Sequence, residues 1–268
     1  LAARLAGCHG LLVRSGTRVT RELLEAADSL EVVGRAGIGV DNVDVEAASK
    51  RGIVVMNTPT GNNVTTAEHT ISMLLAAARH IARADASLCA GQWRRSDFIG
   101  TEVCNKTLGI IGTGNVGAIV ADRARGLKMK VIAYDPYITE EAAERAGIEP
   151  VPLAELYARS DFISVHTPLT PETEGMVGRE AIEQMKPGVR VINCARGGII
   201  DEQALATAIA EGKVAAAAID VFTDEPPAAQ HRYAIAKRVG LAQLVGDKDN
   251  GDALITKPPH DAAQFLNA

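Results

Sequence analysis

Apolar runs of strand length alternate with stretches of helical periodicity along most of this chain. Residues 10–15 (GLLVRS), 31–37 (EVVGRAG) and 53–59 (IVVMNTP) read as strands, separated by short helical stretches at 20–29 and 44–51. Thr65 or Thr66 then predicts the cap of a long helix, with Glu68 in its first turn, running to about Gly91. Further strands are expected at 106–112 (KTLGIIG), 130–136, 160–168, 189–195 and 215–222. A helix to about residue 127 and helices at 178–185 and 201–211 fall between them. Such alternation indicates βαβ units on a parallel sheet, hence the α/β class. The long helix divides the chain into a first part with three strands and a second with at least five. The first part starts late for a complete doubly wound unit and opens on Leu1, so a missing N-terminal piece is expected.

Composition changes this picture little. The 268 residues are 47% hydrophobic and 23% charged, ordinary for a globular protein, but only 3% aromatic, so the core must be aliphatic. A net charge of −5 argues against nucleic acid or an anionic membrane as partner. Cys8, Cys89, Cys104 and Cys194 show neither CxxC nor metal spacing and read as reduced thiols, with no metal site. LAGC at 5–8 has the look of a lipoprotein cleavage box, yet only four residues precede it and one is Arg4. The run ISMLLAAA ends at Arg79 and Arg83, too short for a membrane span. A soluble, cytoplasmic protein is expected.

The first chemical signal is GIIGTGNVG, with Gly112, Gly114 and Gly117 in G-x-G-x-x-G spacing. Glycine triplets arise by chance, but here a strand precedes, a helical pattern follows and a second strand ends in an acid. Gly112 permits the turn, Gly114 the approach of a pyrophosphate, and Gly117 the packing of helix on strand. Asp135, 23 positions after Gly112, is placed to accept hydrogen bonds from an adenosine ribose. It would repel a 2′-phosphate, so the expected cofactor is NAD and not NADP.

Ligands of open α/β sheets collect beyond the carboxyl ends of the strands. Thr167 and Pro168 (VHTP), Arg196 (NCARGG), and Asp220 with Glu225 (DVFTDEP) fall at such ends. An arginine there can grip a carboxylate at two points, which suits a 2-hydroxy or 2-oxo acid. Taken singly, Arg196 reads as a surface cation and Glu225 as part of a solvated acidic loop; beside a nucleotide loop, the balance for Arg196 tips to function.

Together, GRAGIGVDNVDVEAASKRGIVVMNTPTGN, TLGIIGTGNVG, HTPLTPETEGMV, INCARGGIIDEQAL and AAIDVFTDEPP resemble the D-isomer-specific 2-hydroxyacid dehydrogenases, from about residue 10 to 227. The resemblance implies a Rossmann-type doubly wound parallel sheet and a second, incomplete flavodoxin-like substrate domain. It divides the chain into residues 1–60 (partial substrate domain), 61–227 (NAD-binding domain with its long linking helix) and 228–268 (a divergent C-terminal segment). It implies NAD-dependent oxidation of a D-2-hydroxy acid, 3-phosphoglycerate first, by hydride transfer at C2, in a homodimer paired through the long helix. Gly112, Gly114, Asn115, Val116 and Gly117 would hold the pyrophosphate, and Asp135 the ribose. Thr167, Pro168 and Cys194 would line the cofactor, with Asp220 facing the nicotinamide carboxamide. Arg196 would orient the substrate, and Glu225 would keep a histidine protonated. Arg14, Gly37, Gly39 and Asn62 match the substrate side, with Arg14 the candidate for a substrate phosphate.

Members of the family place that histidine in a TPHLGAS-like stretch beyond the glutamate. Here residues 240–245 read GLAQLV, and the resemblance ends at 227. His231, six residues past Glu225, reads as a solvated tail residue; His260 would need an insertion to loop out. The chain is therefore expected to bind NAD while being a poor catalyst or none. The alternatives are a non-catalytic NAD-binding module and a reductase for glyoxylate or hydroxypyruvate.

Overall fold

The computed structural model describes residues 5–223, which form two parallel sheets. In the first, β1 (Gly10–Val13), β2 (Val32–Arg35) and β3 (Val54–Asn57) lie in the order β1-β2-β3. Helices α1 (Arg21–Glu25) and α2 (Val45–Lys50) follow the first two strands. Each starts on a side-chain cap: Thr20 Oγ1 accepts from Leu23 N (3.4 Å) and Asp44 Oδ1 from Ala47 N (2.8 Å). Leu24, Ala27 and Ala48 bury against Val13, Val33 and Ile53. Leu12, Val54 and Met56 remain exposed on the sheet. Parallel sheets ordinarily bury both faces, so the described residues supply only part of this domain's covering.

The second sheet contains β4 (Thr107–Ile111), β5 (Lys130–Tyr134), β6 (Glu149–Pro150), β7 (Phe162–Val165), β8 (Val189–Asn193) and β9 (Val214–Ile219). Their order is β6-β5-β4-β7-β8-β9, every pair parallel. This is the 3-2-1-4-5-6 arrangement of a doubly wound dinucleotide-binding sheet, as expected, and its direction reverses between β4 and β7. Both faces are covered. On one, α3 (Asn63–Arg79) and α5 (Asn115–Gly126) pack Met73, Leu74, Val120 and Ala124 onto Leu108, Ile110 and Phe162. On the other, α7 (Leu153–Arg159), α8 (Arg179–Gln184) and α9 (Glu202–Ala210) pack Leu156, Ile182 and Leu205 onto Ile163, Val165 and Val191. The low aromatic content shows here: among the described residues Phe162 is the one aromatic among the largest fully buried side chains, with the Arg190 guanidinium over its ring.

Two local expectations need correction. The long helix is broken: α3 ends at Arg79, His80 is left-handed (φ 56, ψ 31), and a second helix, α4 (Ile81–Cys89), begins beyond it. Thr101 N donates to Ala78 O at 2.8 Å, taking a carbonyl that a continuous helix would need. The alanine-rich sequence carries no stop signal for this tertiary event. Asn62, not a threonine, begins α3, with no side-chain cap. The sequence reading also passed over α6 (Glu140–Ala146), β6 and α7. β6 is two residues long, too short for any periodicity to register.

Candidate cofactor and substrate cleft

The phosphate loop joins β4 to α5 at the point where the sheet reverses. Gly112 has φ 92 and donates its N–H to Tyr134 O at 2.9 Å, a conformation that favours glycine. At Gly117 the constraint is space: a Cβ would stand 2.1 Å from Gly112 O. Gly114 precedes α5 without a side-chain cap, and a Cβ there would meet nothing within 4 Å. The first-turn N–H groups of Asn115, Val116 and Gly117 have no helical acceptors, so they face this open space with the positive end of the helix dipole. Thr167 Oγ1, adjoining Gly112, is buried without a hydrogen-bond partner among the described residues. Pro168 O accepts from Thr173 Oγ1 (2.7 Å), fixing the turn after β7. His166 lies beneath the loop with Nε2 2.9 Å from Ser164 Oγ, and burial lowers its pKa to about 4, keeping the ring neutral. A spacious donor-lined loop with an orphaned hydroxyl beside it fits a dinucleotide pyrophosphate.

Asp135, just past the end of β5, is held from two sides. Oδ2 accepts from Thr113 N (2.7 Å) and Thr113 Oγ1 (2.8 Å), and Oδ1 accepts from Tyr137 N (2.9 Å). Burial pushes the carboxyl up, but these hydrogen bonds outweigh it and the pKa lies below the usual carboxylate value. Oδ1 keeps acceptor capacity for a ribose hydroxyl. Thr113 was not singled out in the sequence, where it is an unspecified position of the glycine motif. NAD is expected to bind at least about tenfold tighter than NADP, roughly 1.4 kcal/mol, and Asp135→Ala to erase the gap. Parallel calorimetric titrations check this, and equal affinities in the parent would refute it.

Arg196 stands on a turn built by Asn193, whose Nδ2 donates to Arg196 O (2.8 Å) and whose Oδ1 accepts from Ala195 N (3.0 Å). The guanidinium reaches across to the three-stranded unit: Nε donates to Asp41 Oδ2 at 2.6 Å, and Nη1 to Ala195 O at 2.7 Å. It uses the space left by Gly39, where a Cβ would lie 1.9 Å from Nη2. Gly37 does the same for Arg35, the last residue of β2. Burial lowers the pKa of Arg35, Arg196 and Arg14 lower it further, and Asp41 opposes them. Its Nε is buried without a partner among the described residues. Arg14 sits on the loop after β1, held by Asn42 Nδ2 donating to its carbonyl (2.9 Å). Arg196, Asp41 and Arg14 are thus all charged neighbours of the Arg35 guanidinium. Asn62 N-caps α3 through its carbonyl, accepting from Thr66 N (2.9 Å).

At the ends of β8 and β9, burial raises the Cys194 thiol to about 12, opposed by a hydrogen bond with Thr70 and aided by Asp220. Asp220 donates its N–H to Asn193 O (3.0 Å) and directs Oδ1 at His69 Nε2 (3.4 Å). Arg35, Asp41 and His69 were missed in the sequence. Arg35 was findable, as the polar end of a parallel strand; Asp41 and His69 carry no local signal. Glu225, His231 and His260 lie outside the described residues.

Residues 71–243 match the family described as D-isomer specific 2-hydroxyacid dehydrogenase, NAD binding domain, and the chain belongs to that family. The match continues beyond residue 227, where the motif resemblance ended. Among curated relatives, the D-3-phosphoglycerate dehydrogenase of Pongo abelii is 53% identical over 227 residues, covering 85% of this chain and 43% of that protein. The D-3-phosphoglycerate dehydrogenase of Methanocaldococcus jannaschii is 53% identical over 228 residues, covering 85% and 44%. The chain thus spans less than half the length of these relatives. Among solved structures it is similar to a D-lactate dehydrogenase from Aquifex aeolicus complexed with NAD and lactic acid, with a TM-score of 0.77, 33% identity, and coverage of 84% of this chain and 67% of that one. It is also similar to the apo D-lactate dehydrogenase from Escherichia coli, with a TM-score of 0.79, 31% identity, and coverage of 90% and 76%. Among the described residues no helix is long and apolar enough to cross a membrane.

Proposed function

We propose that this chain carries the NAD site and the anion-gripping edge of a D-3-phosphoglycerate dehydrogenase, which oxidises 3-phosphoglycerate to 3-phosphohydroxypyruvate in serine biosynthesis. The observation that carries this reading is the convergence of Arg14, Arg196 and Asp41 on Arg35, with Arg196 bonded to Asp41. Three cations against one anion leave an excess of positive charge, which a substrate bearing both a carboxylate and a phosphate would neutralise. Glyoxylate, with a carboxylate alone, would leave part of that repulsion in place, which favours the phosphorylated acid over the reductase alternative.

In this reading Arg14 and Arg35 hold the phosphate, and Arg196 exchanges Asp41 for the substrate carboxylate and C2 oxygen. The glycine loop holds the pyrophosphate, Asp135 the ribose, and Thr167, Pro168 and Cys194 the cofactor's inner face. Asp220 faces the carboxamide, and Glu225 would pair with the histidine that moves a proton at the C2 oxygen, a place for which His260 is the candidate ahead of His231. Bound NAD supplies the two-electron acceptor. The proposed setting is a cytoplasmic homodimer. The exposure of Ile81 and Leu88 on α4, and of Trp93 and Ile99 just beyond it, supports an interface there.

The deciding experiment compares NAD binding, 3-phosphoglycerate binding and NADH formation on one sample, with glyoxylate as competitor. We expect both ligands to bind and 3-phosphoglycerate to outcompete glyoxylate. NAD binding without binding of either acid would leave the non-catalytic module as the reading.

A further inference from the structure

We infer that His69 and Asp220 form a charge-compensating pair that sets how strongly the chain prefers the oxidised over the reduced dinucleotide, with His69 as the positioning residue. The inference rests on the proposed reading that Asp220 faces the nicotinamide end of the cofactor.

The geometry is built by α3. Its Ala67, Met73 and Leu74 pack in one cluster with Ile192, Cys194 and Ala218, so the helix crosses the carboxyl ends of β8 and β9. His69, beside this stripe, is thereby set against Asp220, with Nε2 3.4 Å from Oδ1. The two side chains are 35% and 30% exposed, so the pair is open to solvent and not sealed in the core. The Asp220 backbone is pinned by its N–H bond to Asn193 O.

The electrostatics around the ring are simple. From β9 it faces Asp220. At the end of β8, Cys194 bonds to the adjoining Thr70, and burial raises its thiol to about 12, so it stays neutral. On its own helix the adjoining Glu68 is exposed and Thr70 carries no charge. The close polar contact with Asp220 raises the pKa of His69, partial burial works against it, and the charge attraction adds to the rise. Asp224 and Glu225 lie outside the described residues. The imidazolium form is thus stabilised by its partner, and it titrates above the ordinary histidine value of about 6.5.

The consequence follows from the ligand's charge. A nicotinamide ring is positive when oxidised and neutral when reduced, while the adenosine and pyrophosphate parts are the same in both. Below the His69 pKa the pair is neutral and does not discriminate by charge. Above it, the pair carries one negative charge and favours the oxidised ring. By linkage, binding of the oxidised form must expel a proton from His69 in the same pH window.

The test uses the full chain and measures Kd for NAD and NADH from about pH 6 to about pH 9. The ratio Kd(NADH)/Kd(NAD) should rise by about twofold to fivefold with pH, the size expected of a partly exposed ion pair. His69→Gln should hold the ratio flat at its high-pH value, and His69→Lys, a permanent cation, should hold it flat at the low-pH value. Calorimetry in buffers of different ionisation enthalpy should detect proton release on NAD binding by the parent and none by either variant. A pH slope surviving in both variants, or a flat ratio in the parent, would overturn the inference while leaving the NAD site standing. Failure of the parent to bind either form would overturn both.

Discussion

Gly117→Val will remove NAD binding, lowering affinity by at least about a hundredfold, or roughly 2.7 kcal/mol. The added Cβ would lie 2.1 Å from the Gly112 carbonyl oxygen and 3.1 Å from its carbon. Both are backbone atoms, so no rotamer change relieves the clash. The start of α5 must retreat from β4, carrying with it the amides that face the pyrophosphate. Overpacking of this kind also costs about 1–3 kcal/mol of stability, so thermal melting should fall with affinity. Gly114→Ala separates the two effects. Its Cβ meets no protein atom within 4 Å and its φ of −62 suits any residue, so the fold should keep its melting temperature. The methyl group would occupy the space assigned to the phosphates, so affinity alone should drop. Tight NAD binding by Gly117→Val, measured by calorimetry, would rule out this loop as the site.

The second large effect is expected at Arg196. Arg196→Lys should lower kcat/KM for 3-phosphoglycerate by about 10²-fold or more while changing the NAD Kd by less than about twofold. Lysine keeps the charge but not the planar fork, and it cannot hold a carboxylate and a C2 oxygen from one rigid group. Calorimetric titration of 3-phosphoglycerate into the NAD-saturated chain gives the same comparison without turnover. The Asp41 contact explains why the arginine is poised: Nε already holds a carboxylate at 2.6 Å, so a substrate carboxylate replaces a like partner. Retention of most of the parent affinity and rate would take Arg196 out of the site.

Several parts of the site were legible because they are local. Gly112, Gly114 and Gly117 answer to constraints within one strand–turn–helix unit, and Asp135 directly follows the next strand, so spacing along the chain carries the information. Arg196 was legible as a strand-end cation, and Cys194 and Asp220 through the motifs that contain them. The elements missed were short or interrupted from outside. The break at His80 depends on Thr101 bonding to Ala78 O from a separate segment, and β6 exists only by pairing with β5. Neither leaves a periodic trace.

The amino-acid order alone determines that this chain alternates strand and helix, packs an aliphatic core and forms a glycine loop for an anionic ligand, because these follow from spacings of a few residues. Tertiary structure alone decides which charges meet. Asp41 lies 155 positions from Arg196, and His69 is far from Asp220 in the chain. Arg35 stands with Arg14 and Arg196 only after two sheets have folded and faced one another. Electrostatic partnership acts through space over a few ångströms, whereas the hydrophobic pattern acts along the chain. The sheets could therefore be read in advance, and the pairings in the cleft could not.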